Sequence, residues 1–453
     1  MNSKVCLVIL DGWGIGRKDD TNPIWMAGTP YLDYLKQNYP YCALQASGMA
    51  NGLPWYKEGN SEVGHLILGS GRIVYQTLVR IDMAIKNGSF FKNTTLLDII
   101  NKTKGKKSRL HLIGLISSGE IHSSLDHLKA LIELAKQNGL EDVYLHLITD
   151  GIDGKENKEA TILIDDLNSY LSTRGIGKIA SVAGRFYAMN KERNPNYLKK
   201  YFDLIGSGKG NIVAEGKIKE YLSQFYQKNF TDEFIEPAIV EYQNNQKYFI
   251  QNNDSILFFN CRPSDSSMEI FLKAFLDSNF NLFSVNNKPS SLDVATFVNY
   301  KAELDYKVAF PEEVLANTLA EVLSQNNKHQ LHLAESEKAL HVTYFFDGLK
   351  EKPFPGEYWT IVPSLPTVQR SKHLEMMAPI LTERVVQAME ENIYDFIVVN
   401  YANPDLIAHS GDIEAAQQVV KIIDEEVHKI IEPALKQNYF VLITSDHGNI
   451  ERM

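Results

Sequence analysis

Three short apolar runs each end on residues of metal-ligating type: Val5 to Leu10 before Asp11, Phe396 to Val399 before Asn400 and Asp405, and Phe440 to Thr444 before Asp446-His447. Runs that are apolar throughout, rather than alternating, predict strands buried on both faces, as in a parallel sheet covered by helices. Ligands of such sheets bind beyond the carboxyl ends of the strands, so the two ends of the sequence are expected to meet at one site.

Apolar residues recurring at three- and four-residue spacing predict helices between these strands over Glu313–Leu323, Leu374–Glu390 and Ile413–Leu435. Alternating helix and strand patterns indicate an α/β fold. From about 77 to 304 runs a stretch with its own predicted strands (Leu110–Ile116, Val143–Ile148, Ile256–Phe259) and helices (Leu125–Gln137, Glu159–Leu171). It reads as a second α/β domain, 77–304, inserted into a discontinuous first domain, 1–76 and 305–453. A chain of 453 residues has room for two such cores.

Composition excludes several classes of function. With 46 Lys and Arg against 56 Asp and Glu, the net charge is −10, so nothing favours nucleic acid or an anionic membrane as partner. An anionic substrate requires a local cationic pocket. Cys6, Cys42 and Cys261 form no Cys-x-x-Cys pair, which excludes a disulfide framework and a thiolate zinc site. Val5 to Leu10 is too short for a signal peptide or for the roughly 20 residues of a membrane span, so a soluble cytoplasmic protein is expected.

Asp11 precedes Gly12-Trp13-Gly14, where a carboxylate would project from a strand end, although an Asp there also serves as a helix cap. Asp446-His447 offers oxygen and nitrogen donors to a borderline ion such as Mn²⁺ or Zn²⁺. Asp405 and His409, four apart, share one face of a helix and can chelate one ion. So many donors serve two ions more naturally than one. Ser61, within Gly59-Asn60-Ser61-Glu62-Val63-Gly64-His65, is the candidate nucleophile: a hydroxyl at a helix start lies beside unpaired N–H groups, and a metal can lower its pKa. The competing reading is a plain Ser or Asn helix cap. In the middle stretch, Ser117 to Ser123 (with Glu120 and His122) and Thr149 to Gly154 (with Asp150 and Asp153) follow strands, and Arg185 and Arg262 lie in loop contexts suited to carboxylate or phosphate.

Together these segments resemble the cofactor-independent (2,3-bisphosphoglycerate-independent) phosphoglycerate mutase family of the alkaline phosphatase superfamily. The likeness runs nearly end to end, through Leu10–Gly14, Gly59–His65, Gly71–Gln76, Gly184–Met189, Ala334–Lys338, Asn403–Asp405 and Asp446–Asn449. It implies an alkaline-phosphatase-like sandwich carrying two Mn²⁺ per chain and Ser61, with an inserted phosphotransferase domain that holds a small phosphorylated substrate. Asp11, Ser61, Asp446 and His447 would bind one ion, and Asp405, His409 and a further histidine the other. The implied reaction is the glycolytic interconversion of 3-phosphoglycerate and 2-phosphoglycerate through a phosphoserine at Ser61. Asp153 would match the base for the glycerate hydroxyls, His122, Arg185, Lys191 and Arg262 the substrate contacts, and Lys338 a stabiliser of the moving phosphoryl group. A monomer is expected.

Three positions depart from the family pattern. Ile152 replaces a substrate-facing arginine, Lys191 stands for an arginine and loses its planar fork, and Asp265 replaces a second phosphate-binding arginine. The family also continues past Asp446–Asn449 to a stretch supplying another histidine ligand, whereas this sequence stops at Met453. Either the sequence is a fragment, which is the expectation because every upstream metal ligand is intact, or the second metal site lacks that histidine. Three readings follow: a mutase; a drifted relative acting as a phosphatase or mutase on another phosphate ester; and a catalytically impaired paralogue.

Overall fold

The structure is a computed structural model that describes residues 4–190, 192–286, 288–300, 303–313 and 315–453. It divides into two compact units, 1–76 with 313–453, and 77–312. The second boundary therefore falls at 312, not at the 304 read from the sequence. Backbone pairing causes the shift: Lys307 and Val308 form a short strand parallel to Ala295 and Thr296, which ties 305–312 to the inserted unit.

The first unit holds a five-stranded sheet, in the order Glu357–Val362, Gln330–Glu335, Phe396–Tyr401, Lys4–Leu10, Tyr439–Thr444, with every pair parallel. Val, Ile and Leu fill its central strands, whose branched side chains suit a surface packed on both sides. On one face Cys6, Val8, Ile397 and Val399 meet Val419, Val420, Ile423 and Val427 of the long helix Ile413–Lys436. On the other, Leu7, Ile9, Phe396 and Val398 pack with Phe346. Each such side chain, fully buried, contributes about 1.5–3 kcal/mol.

The strand Tyr439–Thr444 corrects the expectation of burial on both faces. It is an edge strand, with Tyr439, Val441 and Ile443 turned to the helix-covered core while Phe440 and Leu442 are 61% and 47% exposed. Two helices are also shorter than the apolar spacing predicts. One spans Leu319–Gln325, because the Thr318 side chain caps the Glu321 N–H and Asn317 just before it has φ +58°. The other begins at Ala378, behind Met376 at φ +44° and with Pro379 in its first turn, where a missing N–H costs nothing.

The inserted unit is built on a nine-stranded mixed sheet, whose central strands Ser255–Phe258, Leu110–Ile116, Val143–Thr149 and Lys178–Gly184 run parallel and are buried almost throughout. Ala238–Tyr242 pairs antiparallel with Lys178–Gly184. No helix among the described residues is long and apolar enough to cross a membrane.

Away from the carboxyl ends of the strands, the first unit buries a group of three ionisable residues, His332, Asp347 and Glu357, each 0–6% exposed with ligand-type atoms within 4.8 Å of one another. The His332 Nδ1 lies 2.6 Å from the Val342 carbonyl and Nε2 3.2 Å from Gln330 Oε1, whose amide nitrogen is committed to Ala320. Both ring nitrogens thus face acceptors. Burial, then the neighbouring Glu357 carboxylate, pushes the Asp347 carboxyl up to about 10. A carboxyl raised in the fold stabilises least where the unfolded chain has already ionised, so its contribution is lost as pH rises from about 4 towards 10. Asp347→Asn keeps the shape, cannot ionise and can donate to Glu357. We expect it to raise stability by about 1–3 kcal/mol at pH 8 and to change little at pH 4, as read by thermal melts.

Candidate active-site clusters

In the first unit the carboxyl ends of three adjacent parallel strands deliver Asp11, Asn400 and Asp446 to one place. Gly12, at φ +69°, lets the chain turn there, and a Cβ on it would lie 2.9 Å from Asp405 Cβ. The helix Asn403–Ala408, with Pro404 in its first turn, carries Asp405 in, and the helix Ser61–Ser70 carries Ser61. Asn60, not Ser61, caps the latter helix by accepting from Val63 N at 3.0 Å. The Ser61 hydroxyl is thereby left to the cluster. Gly64 permits the close approach: a Cβ at that position would stand 2.4 Å from the Asp446 carbonyl oxygen.

Ser61 Oγ lies 3.0 Å from Asp11 Oδ1, 2.9 Å from His447 Nε2 and 2.7 Å from Lys338 Nζ. Lys338, 4% exposed, also donates to Asp11 Oδ1 and Asp405 Oδ2, both at 2.7 Å. Burial disfavours its charge, but Asp11 and Asp405 outweigh that and raise its pKa above the ordinary lysine value. Burial likewise opposes ionisation of Asp11, yet His447, Lys338 and His65 hold that carboxyl well below the usual range. The His447 imidazole, despite burial, is raised to about 9, chiefly by its hydrogen bond to Asp11 and by Asp446.

The donors fall into two groups that share Asp11: one with His65 and Asp446, one with Asp405 and His447. The cluster holds three buried carboxylates and one ammonium, which pairs with Asp11 and Asp405, and two buried oxygens, Asn400 Oδ1 and Asp446 Oδ2, accept no well-formed hydrogen bond, although His65 Nδ1 is 3.2 Å from the latter. Such an excess of hard oxygen donors with interspersed imidazoles fits divalent cations. His409 ends its helix with a side chain 69% exposed, and its Nε2 is 3.3 Å from Asp405 Oδ1. It lies at the rim, outside both closed groups.

Sequence reading missed His65 as a donor, although it follows Ser61 by one helical turn and so shares its face. Asn400, read from the sequence as a ligand-type residue at a strand end, does join the cluster: its Nδ2 is 2.6 Å from Asp11 Oδ2 and 2.9 Å from His65 Nε2. His341 was missed too. Its ring is 5.3 Å from that of His65, and burial followed by the neighbouring His65 and Lys338 lowers its pKa to about 4.

In the second unit, strand ends bring His122, Asp150, Asp153 and Arg185 together. Arg185, 3% exposed, pairs with Asp150 at 2.5 Å and with Asp153, and its Nη2 is 3.2 Å from His122 Nε2. Burial works against the guanidinium charge, and Asp153 and Asp150 more than restore it. Ser117 donates to Asp150, while Glu159 accepts from both the N–H and the hydroxyl of Ser118. Ile152 is 46% exposed, Arg262 is exposed, and Lys191 lies outside the described residues. Asp265, noted in the sequence only as a lost cation, is 6% exposed and bonded to His122.

Residues 81–302 match the family described as the BPG-independent PGAM N-terminus. Across 453 aligned residues the chain is 41% identical to the 2,3-bisphosphoglycerate-independent phosphoglycerate mutase of Clostridium botulinum, spanning 99% of this chain and 87% of that protein. It is also 41% identical to 2,3-bisphosphoglycerate-independent phosphoglycerate mutase 1 of Methanosarcina acetivorans over 99% of this chain and 86% of the relative. Among solved structures, that of Leishmania mexicana phosphoglycerate mutase at low cobalt concentration superposes with a TM-score of 0.63 and 27% identity, covering 100% of this chain and 84% of that one. The fold is accordingly an alkaline-phosphatase-like α/β sandwich with an inserted α/β unit.

Proposed function

This chain belongs to the 2,3-bisphosphoglycerate-independent phosphoglycerate mutase family, and from that premise we propose that it interconverts 3-phosphoglycerate and 2-phosphoglycerate, a step of glycolysis, by way of a phosphoserine at Ser61. The observation that carries this reading is the Ser61 hydroxyl, held at a helix start within 3.0 Å of Asp11, His447 and Lys338.

Divalent cations, which we take to be two Mn²⁺, would be held by Asp11, His65, Asp446, Asp405 and His447, with His409 at the rim, and would lower the hydroxyl pKa and offset phosphate charge. Ser61 Oγ attacks phosphorus as the bond to the C3 oxygen breaks, and glycerate leaves with that oxygen reprotonated. The C2 hydroxyl then attacks the phosphoserine, returning Oγ to its starting state. Atoms balance without water or any oxidant. Lys338 neutralises charge on the moving phosphoryl group, and its bonds to Asp11 and Asp405 fix its position before the reaction begins.

In the second unit we assign substrate contacts to His122, Arg185, Arg262 and Lys191, and to Asp153 the removal of a proton from a glycerate hydroxyl. We also propose a cytoplasmic monomer acting on a small phosphorylated substrate; the free thiols of Cys6, Cys42 and Cys261 fit a reducing compartment.

The test is an enolase-coupled assay with 3-phosphoglycerate and Mn²⁺, without bisphosphoglycerate. Turnover is expected, as is its loss to background with a chelator and its return on adding Mn²⁺. Release of inorganic phosphate without isomerisation would replace this reading with a phosphatase.

A further inference from the structure

Asp265 is the N-cap residue immediately before the helix Ser266–Leu276, where an Asp side chain ordinarily caps the helix by accepting from its N–H groups. It makes no such bond. Its Oδ1 lies 2.5 Å from His122 Nδ1, and its Oδ2 accepts from Asn260 Nδ2 at 3.0 Å. Asn260 is itself fixed, 0% exposed, with Oδ1 accepting from Leu115 N at 2.8 Å at the end of the strand Leu110–Ile116. The His122 backbone is held from the same side, since its carbonyl accepts from Cys261 N at 2.6 Å. A buried chain thus runs from the central sheet through Asn260 and Asp265 to one edge of the imidazole.

The other edge faces the cluster. Nε2 is 3.2 Å from Arg185 Nη2, a donor only, and 3.3 Å from Asp153 Oδ2. A carboxylate at Nδ1 and a guanidinium at Nε2 are satisfied together by one neutral form of the ring, with the proton on Nδ1 and the lone pair on Nε2. We propose that Asp265 is the positioning residue that fixes His122 in this orientation and tautomer, so that the Nε2 lone pair faces Arg185 and the substrate-contact cluster. The kinetic part of this inference rests on the mutase reading; the ring geometry does not. The charged groups around the imidazole are Asp265 at the helix start, Asp153 and Asp150 after Val143–Thr149, and Arg185 after Lys178–Gly184. In this setting the acid at 265 supplies orientation, not only the loss of a cation.

The experiment records long-range ¹H–¹⁵N spectra of the full chain labelled in its 12 histidines, with His122 assigned by His122→Gln. The wild type should show His122 protonated at Nδ1. Asp265→Leu should convert it to a mixture or to the Nε2–H form, while the near-isosteric Asp265→Asn, which keeps an acceptor, should retain it. A wild-type ring protonated at Nε2 alone, or one unmoved by Asp265→Leu, overturns the proposal. In the coupled assay Asp265→Leu should lower kcat/KM by about 10- to 100-fold, partly through KM, with Asp265→Asn intermediate. Combined with His122→Gln it should add less than about twofold, because the two residues act as one. Additive losses overturn the kinetic claim. A wild type silent on 3-phosphoglycerate while its spectrum shows the expected tautomer contradicts the mutase reading and leaves the positioning role standing.

Discussion

Ser61→Ala should lower kcat by about 10⁴- to 10⁶-fold, the scale on which removal of a nucleophile acts when the rest of the site survives. The rest does survive in this geometry. Without the hydroxyl, Lys338 still bridges Asp11 and Asp405, the His447 ring still lies 3.5 Å from Asp11, and Asn60 still caps the helix. The variant should therefore melt within about 1 kcal/mol of the wild type, because only a small, nearly buried hydroxyl is deleted. Activity within tenfold of the wild type would remove Ser61 from the mechanism. A large loss of stability would mean that the assay had measured unfolding.

Lys338→Met is expected to produce the second largest effect, and on two quantities at once. It removes the ammonium that touches Ser61, Asp11 and Asp405, so kcat/KM should fall by about 10²- to 10³-fold. It also leaves two carboxylates, 0% and 4% exposed, facing each other without their shared cation, a change that costs about 3–5 kcal/mol in the metal-free protein. Because divalent ions would restore part of the missing positive charge, the loss in melting temperature should be smaller with Mn²⁺ than with chelator. An equal loss under both conditions would show that Asp11 and Asp405 do not hold a cation.

Much of the first unit was legible because continuous apolar runs and their terminal acids reflect one physical requirement, a buried parallel sheet that opens only at its carboxyl edge. What the runs could not reveal is strand position. Tyr439–Thr444 reads like its neighbours yet lies at the edge, so Phe440 and Leu442 face outward. Spacing also overran two helix starts, because Thr318 and Met376 set boundaries through cap and backbone geometry that periodicity does not register. Ser61, Asp11 and Lys338 were readable as chemical types, but their convergence depends on contacts 277 and 327 residues apart. Asp265 shows the opposite failure. Its identity suggested only a missing cation, and its distance to His122 is what reveals the imidazole it holds.

The central claim, a phosphoryl group carried by Ser61, is tested most directly by acid-quenching the Mn²⁺-loaded enzyme during turnover of 3-phosphoglycerate and mapping its peptides by mass spectrometry. The account predicts the mass of one added phosphoryl group on the peptide containing Ser61, absent without substrate and absent in Ser61→Ala. A protein that isomerises 3-phosphoglycerate while Ser61 remains unmodified, or that carries the group on another residue, would contradict it.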